Sequence, residues 1–181
     1  MQLRPAAPGD LEAVQAIYAH HVRHSLGTFE EDPPPVEEIA RRHAAVRAKG
    51  LPWLVAETAG RVLGYAYAGP FRPRPAYRFT VEDSVYVAPD CIGQGAGKAL
   101  LNALIGECEA MGLRQMIAVI GDSGNAASIG AHRACGFEFK TAIDAAGWKF
   151  GRWVDIVWMQ RALNGGAALP PDAPGLQLGG G

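Results

Sequence analysis

Three glycines at alternate positions come just before a stretch with helical spacing. Gly93, Gly95 and Gly97 form this turn, and Lys98 follows at once. A glycine turn that opens a helix gathers free backbone N–H groups at the positive end of the helix dipole, and glycines let a phosphate approach without a Cβ in the way. The turn therefore predicts an anion site, to which the Lys98 ammonium adds charge.

Two common phosphate motifs do not fit this turn. A P-loop needs a glycine before its Gly-Lys pair and Ser or Thr after it, where this chain has Ile92 and Ala99. The dinucleotide fingerprint needs a third glycine where Lys98 stands, or at Leu100 for a longer spacing. Nucleotide hydrolysis and dinucleotide redox chemistry are therefore not indicated.

An arginine-rich loop, GPFRPRPAYRF, is the second chemical feature. Its candidate substrate-binding residues are Phe71, Arg72, Arg74 and Arg78. The planar guanidinium pairs bidentately with carboxylate, phosphinate or sulfonyl-type oxygens. The loop predicts either a site for an anionic substrate group or ordinary solvated arginines, and the sequence leaves both open.

Histidines and cysteines give no metal or redox signal. His20 and His24 lie one turn apart on a predicted helix, but no HExxH pattern or nearby third ligand accompanies them. Cys91, Cys108 and Cys135 fit no zinc or redox spacing. We expect no metal, and we expect reduced thiols in a cytoplasmic protein.

Composition limits the function classes. The chain has 181 residues, of which 49% are hydrophobic and 19% charged, with a net charge of −1. This is enough for one domain with its own core, and it gives no electrostatic case for nucleic acid or an anionic membrane. No apolar run approaches membrane-spanning length, and the N-terminus is not a signal peptide.

The pattern of elements predicts an α+β domain. A short strand at 2–4 precedes two helices, an amphipathic one that Asp10 caps and a charged one over 36–49. Strands at 52–57, 62–68 and 84–87 precede the long helix after the glycine turn. A strand at 115–120, a short helix from about 125 and two final strands complete residues 1–163. The Gly- and Pro-rich segment 164–181 has too little apolar content to pack and is predicted to be flexible.

Two motifs in this order resemble the GNAT acyltransferases. Ile92-Gly93-Gln94-Gly95-Ala96-Gly97 is similar to the family's pyrophosphate motif, with Ile92 where Gln or Arg is usual. A second family pattern matches Asn125, Ser128, His132, Gly136 and Phe137. The resemblance implies acetyl-CoA as co-substrate and a GNAT fold, a mixed sheet of about six to seven strands flanked by four helices.

Longer segments narrow the resemblance to one branch. LVAETAGRVLGYAYAGPFR, TVEDSVYV, AVIGDSGNAASIGAH and GWKFGRWVDIVWMQ are similar to the phosphinothricin and methionine-sulfoximine N-acetyltransferases. This implies acetylation of the α-amine of a small amino-acid analogue that bears tetrahedral phosphorus or sulfur. It also implies a homodimer.

The resemblance implies roles for residues of the central strand. Glu82, just before that strand, would remove the proton of the amine, and burial would raise its pKa for this task. Asp83 points to the opposite side of an extended strand. The backbone N–H of Val87 would stabilise the oxyanion. The coenzyme would contact the residues Val85, Tyr86, Val87, Gly93, Gln94, Gly95, Ala96, Gly97 and Lys98.

The resemblance also assigns the predicted short helix. Asn125 and Ser128 would hydrogen-bond the pantetheine arm, and they share one helix face with His132. His132 stands where most of the family has tyrosine, so its imidazole would polarise the carbonyl, protonate the leaving thiolate or only pack. Two rival functions remain open: a protein or peptide N-terminal acetyltransferase, and a non-catalytic acyl-CoA-binding module.

Overall fold

The computed structural model describes residues 1–178, and its framework is a seven-stranded mixed sheet with four α-helices. The strand order is β1-β2-β3-β4-β5-β7-β6, and only the β4–β5 pair is parallel. The strands are β1 Gln2–Pro5, β2 Trp53–Thr58, β3 Arg61–Pro70, β4 Thr80–Val87, β5 Gln115–Gly121, β6 Glu138–Lys149 and β7 Arg152–Ala162. The helices are α1 Leu11–His24, α2 Val36–Ala48, α3 Ala96–Ala110 and α4 Ala126–Ala134. The predicted order of elements is confirmed.

Helices cover both faces of this sheet, so there are two cores. On one face, α1 and α2 bury Val14, Tyr18 and Ile39 against the aromatic side chains of β2 and β3. On the other face, Leu100 and Leu104 of α3 pack with apolar residues of β4, β5 and β7. Because side chains alternate along β4, its neighbouring residues face different helices. This alternation decides what each residue of β4 can contact.

The glycine turn and the long helix form as the sequence predicts. Gly95 is the N-cap of α3 and has a φ of 86°, while Gly112 ends the helix with a φ of 75°. Such left-handed backbone favours glycine because other residues place a Cβ against the carbonyl oxygen. The start of α3 is therefore fixed by residues that a local pattern reveals.

Asp10 does not cap α1 in the predicted way. It occupies the N-cap position, but its side chain makes no capping hydrogen bond to the helix. Instead the carboxylate accepts from Arg4 Nη1 and Nη2 at 2.7 and 2.8 Å and from the Ala7 N–H at 2.7 Å. A charge-assisted bidentate pair outweighs a single cap bond, so Asp10 anchors β1 to the start of α1.

The C-terminal segment packs more than its composition predicts. Leu176 is only 6% exposed and joins the core of the α3 face, while its N–H donates to the Arg78 carbonyl at 2.8 Å. Arg114 also holds this segment, since its Nε donates to the Gly166 carbonyl at 2.9 Å. The prediction that the segment does not pack is wrong here because one buried leucine and a few main-chain bonds suffice. Residues 179–181 of the predicted tail lie outside the described residues.

Candidate active site

A cleft opens where strands β4 and β5 separate. Their parallel pairing runs from Thr80↔Gln115 to Glu82↔Ile117 and ends there, whereas β4 stays paired with β3 as far as Val87↔Gly64. The divergence leaves a cavity of about 800 Å³ between the second half of β4, the start of α3 and the start of α4. Glu82 therefore lies at the apex of the cleft.

Main-chain groups of β4 line one wall of this cleft. The hydrogen bonds from Phe71 N to Thr80 O and from Ala88 N to Leu63 O fix the antiparallel alternation between β3 and β4. That alternation directs the N–H and C=O of Val85 and Val87 away from β3 and into the cleft. Val87 O is already bonded to His21 Nε2 at 2.8 Å, so its N–H is the group left to serve a ligand.

Tyr86 differs from its two neighbours. The same alternation commits its N–H and C=O to Tyr65 of β3, and its ring packs with the aromatic residues of the α1 face. Tyr86 was predicted to contact the coenzyme, but its main-chain N–H and C=O are not free to hydrogen-bond one. The main-chain groups that face the cavity are those of Val85 and Val87.

The start of α3 forms the far end of the cavity. Gly93, Gly95, Ala96, Gly97 and Lys98 all line it. A Cβ on Gly97 would lie 3.3 Å from Val87 Cγ2, so glycine lets the helix approach β4 closely. The first N–H groups of a helix have no partner within it, and here they border a cavity. The arrangement suits an anionic group, as the sequence predicts.

Gln94 and Ile92 contribute differently to this end. Gln94 Nε2 donates to the Asp90 carbonyl at 2.9 Å and so braces the turn. Ile92 lines the cavity, and its side chain is 57% exposed. An apolar residue at this position offers no charge to a phosphate, so the main-chain amides and Lys98 are left to hold it.

Glu82 presents a half-buried carboxylate to the cavity. Burial raises its pKa, the Arg72 guanidinium 4.0 Å away partly opposes this, and the charge of Asp83 raises the pKa further. A carboxylate with a raised pKa holds a proton more readily at neutral pH, which a general base requires.

Among the three arginines of the loop, only Arg72 reaches Glu82 within ion-pair distance. Its guanidinium carbon stacks 4.3 Å from the Phe71 ring centroid, which orients it. Arg74 is exposed and off the cavity wall, and Arg78 stacks on Phe79. The structure therefore brings Phe71 and Arg72 towards the apex, and it does not bring Arg74 or Arg78 there.

His132 is buried with both ring nitrogens engaged. Nε2 contacts Asp83 Oδ2 at 2.9 Å, and Nδ1 lies 2.8 Å from the Ser128 carbonyl. Because a carbonyl only accepts, Nδ1 carries a proton, and a carboxylate likewise favours one on Nε2. Burial would lower the pKa of His132, but the hydrogen bond and charge of Asp83 and the Ser128 carbonyl raise it. Both contacts favour the imidazolium form paired with Asp83, and in that form neither ring N–H is left for a ligand.

Sequence reasoning missed the partner of His132. Alternation correctly places Asp83 on the face opposite Glu82, the face that α3 and α4 cover. Its side chain is 2% exposed and lines the cavity with His132. The available signal was that a carboxylate facing a helix core needs a partner and that α4 carries a histidine.

Asn125 and Ser128 fix the start of α4. Asn125 Oδ1 accepts from the Ser128 N–H at 3.2 Å, which is an N-cap bond. Both residues line the cavity, and Ser128 Oγ lies 3.4 Å from His132 Nδ1. Their predicted common face is present, although part of their hydrogen-bonding capacity serves the helix itself.

A loop that the sequence did not mark closes the other end of the cavity. Ser25, Gly27, Thr28 and Phe29 line it, and all four lie between α1 and α2. No motif singles out these residues, because their position depends on contacts with distant strands.

Residues 1–178 contain neither a metal-binding cluster nor a membrane-spanning helix. This part of the chain holds no group of three or more His, Cys, Asp or Glu side chains that could bind a metal ion. None of its helices is both long and apolar enough to cross a bilayer. Cys91, Cys108 and Cys135 are buried free thiols.

Known proteins are similar to this chain in sequence and in fold. The model of the acetyltransferase (GNAT) family matches residues 14–137. A phosphinothricin N-acetyltransferase of Alcaligenes faecalis is 55% identical over 170 residues, which cover 94% of this chain and 86% of that protein. An L-methionine sulfoximine/L-methionine sulfone acetyltransferase of Pseudomonas aeruginosa is 45% identical over 172 residues, which cover 93% and 98%.

A solved crystal structure has the same fold as this chain. The GNAT phosphinothricin acetyltransferase of Sinorhizobium meliloti in complex with AcCoA matches with a TM-score of 0.91 and 47% identity. The match covers 94% of this chain and 92% of that one. With its divergent β4 and β5, its glycine turn before α3 and these relatives, the chain belongs to the GNAT acetyltransferase family.

Proposed function

We propose that this protein is an acetyl-CoA-dependent N-acetyltransferase for the α-amine of small amino-acid analogues with a tetrahedral phosphorus or sulfur group. The relatives named for phosphinothricin and methionine sulfoximine match over more than nine-tenths of the chain, which supports this substrate class. The observation that carries the proposal is a half-buried carboxylate, Glu82, at the apex of a cleft whose far end is the start of α3.

The cavity fits acetyl-CoA by its donor groups. The amides at the start of α3, with Lys98, suit the pyrophosphate, and Gly97 leaves the space that a Cβ would take. The open N–H and C=O groups of Val85 suit the amides of the pantetheine arm, which would lie along β4 like an added strand. Asn125 and Ser128 border the same arm from α4.

Glu82 serves as the general base. An aliphatic ammonium group has a pKa on the order of 8 to 10, so at neutral pH a base must take a proton before the nitrogen can attack. The freed nitrogen lone pair bonds to the thioester carbonyl carbon, the Val87 N–H donates to the oxygen that becomes negative, and the C–S bond breaks to release the thiolate. Glu82 passes this first proton to solvent, and the nitrogen gives up its second proton to Glu82 or to the departing thiolate as the C–S bond breaks.

His132 holds α4 against β4 in this proposal. Its two N–H groups are spent on Asp83 and Ser128, so it has none to give to the carbonyl or to the thiolate. Arg72 is the residue proposed to bind the acidic group of the substrate, because it lies beside Glu82 and is stacked in place. Arg74 and Arg78 have no role in substrate binding in this proposal.

A substrate panel tests the function. The protein is incubated with acetyl-CoA and phosphinothricin, methionine sulfoximine, methionine sulfone, unmodified amino acids or short peptides, and thiol release is followed. We expect turnover on the analogues and little on the peptides. Preference for peptides would favour an N-terminal acetyltransferase, and acetyl-CoA binding without turnover would favour a non-catalytic module.

A homodimer is part of the proposal. Strand β6 lies at the sheet edge, and the β6–β7 hairpin exposes Trp148, Phe150 and Trp153, which are 55, 57 and 65% exposed. An apolar cluster on an edge strand is a surface that a second copy would cover. Light scattering of the purified protein would show twice the chain mass.

The three free thiols are compatible with the cytoplasm.

A further inference from the structure

The loop between α1 and α2, residues 25–35, borders the cavity through its first residues. Ser25, Gly27, Thr28 and Phe29 line the cavity there. The Phe29 ring is 39% exposed, so burial alone does not hold it. On its helix side the loop is held by polar contacts, since Tyr18 Oη lies 2.9 Å from Thr28 Oγ1 and Arg42 pairs with Glu30. The carbonyls of Ser25 and Thr28 have a different partner on the sheet side.

Lys149 anchors the loop from the edge strand β6. It is the last residue of β6, and only 1% of it is exposed. Its Nζ donates to the Thr28 carbonyl at 2.7 Å and to the Ser25 carbonyl at 3.0 Å. Both acceptors belong to the loop, and both are more than 120 residues away in sequence.

Two glycines bring the same loop into place. A Cβ on Gly121, at the end of β5, would overlap the Leu26 carbonyl. A Cβ on Gly147, two residues before Lys149, would overlap the Phe29 ring. Strands β5 and β6 thus meet the loop through residues without side chains, and Lys149 adds charged hydrogen bonds to two of its carbonyls.

The environment of Lys149 argues for a functional reason. Burying an ammonium is costly unless it is paired and hydrogen-bonded, and here its hydrogen-bond acceptors are two neutral carbonyls, with the Phe150 ring 4.9 Å from Nζ and no carboxylate within ion-pair distance in residues 1–178. An apolar residue of similar volume would fill the site at lower cost. What such a residue could not do is bond to Ser25 and Thr28.

We propose that Lys149 is a positioning residue that holds the α1–α2 loop, and with it Phe29, at the acceptor end of the cavity. Acceptor binding then depends on Lys149, whereas acetyl-CoA binding depends mainly on the amides at the start of α3, which the Lys149 bonds do not touch. This inference rests on the proposed function, since it assigns the acceptor to the Glu82 end.

Hydrogen exchange tests the anchor without any substrate. Lys149→Met removes the donors and keeps the site filled, and Lys140→Met is a matched control on the exposed part of β6. We expect the amides of residues 26–32 to exchange about tenfold faster or more in Lys149→Met and at the wild-type rate in Lys140→Met. Equal protection in both variants would overturn the proposal.

Steady-state kinetics test the consequence. In Lys149→Met the KM for the amino-acid analogue should rise about tenfold or more, while the Kd for acetyl-CoA changes by less than about twofold. Lys149→Arg, which keeps the charge and donors, should recover much of the loss. A parallel loss of acceptor and acetyl-CoA binding would mean that Lys149 only stabilises the fold, and this too would overturn the proposal.

Two provisions keep the test decisive. If Lys149→Met does not fold, Lys149→Gln retains one neutral donor group and should show the same changes in smaller size, and no change would count against the proposal. If the wild-type protein acetylates none of the analogues, the proposed function fails, while loop exchange still decides whether Lys149 anchors the loop.

Discussion

Glu82 and Asp83 are neighbouring carboxylates on β4 that lie in opposite surroundings. The Glu82 side chain is 36% exposed, faces the α1–α2 side and has only Arg72 at 4.0 Å. The Asp83 side chain is 2% exposed, faces the α3–α4 side and is bonded to His132 at 2.9 Å. One carboxylate is free to exchange a proton, and the other is fixed in an ion pair.

The difference follows from strand geometry. Alternating side chains of one strand reach two separate cores, so a single step along the chain changes a residue's partners completely. At the point where β4 leaves β5, this places a reactive group on one face and a structural pair on the other. We infer that position 82 acts on the acceptor amine and that position 83 holds α4 in place for the coenzyme.

The largest expected effect is on turnover in Glu82→Gln. Removal of a general base typically costs 10² to 10⁴ in rate, so kcat should fall by about 100-fold or more. The Kd for acetyl-CoA should stay within about twofold, because the base acts on the amine. Stopped-flow thiol release and calorimetric titration give the two values. Comparable losses of both would make Glu82 structural and remove the contrast with Asp83.

The next effect concerns stability in Asp83→Asn. Removing one partner of a buried ion pair leaves the other uncompensated, so the free energy of unfolding should fall by about 3 kcal/mol. Urea denaturation measures this, with Glu82→Gln as the control, for which we expect less than about 0.5 kcal/mol. Similar values for the two variants would show that the two faces of β4 are not distinct.

The stability loss in Asp83→Asn should also depend on pH. The pKa of His132 is raised above 6.5 in the folded wild type, so the pair stabilises the protein fully below about pH 6.5 and progressively less as pH rises through the folded pKa. The difference from the wild type should therefore be larger at pH 6 than at pH 9. A difference that grew towards pH 9 would mean that His132 is not the charged partner.

A smaller effect is expected in Arg72→Gln. The KM for a phosphinate or sulfoximine analogue should rise several-fold, in line with about 1 kcal/mol for a partly exposed charge pair. Arg74→Gln is the matched control, because Arg74 is an exposed arginine of the same loop that does not reach Glu82. If both substitutions raised KM equally, the acidic group would be bound by the loop as a whole rather than at the Glu82 apex.

Local sequence patterns predicted the elements around the start of α3. Glycines at 93, 95 and 97, the proline that ends the strand and the helical spacing after it are all signals within about 20 residues. They predicted the glycine turn and the start of α3, which line the cavity, while the anion expected there stays a prediction. The order of elements followed from the same kind of signal.

Long-range pairs could not be predicted in this way. Asp83 and His132 are 49 residues apart, and Lys149 bonds to Thr28 across 121 residues. Their meeting depends on how β4, α4 and β6 pack, which no spacing in the sequence records. The same holds for Leu176, which finds a place in the core although its surroundings are rich in glycine and proline.

The pH dependence of kcat/KM for the acceptor tests the assignment of Glu82 most directly. The wild-type profile should have an acid limb set by the Glu82 carboxyl, above its ordinary value because burial and Asp83 raise the pKa more than Arg72 lowers it. In Glu82→Gln this limb should move up to the pKa of the amine itself. An acid limb at the same pH in both proteins would show that another group removes the proton.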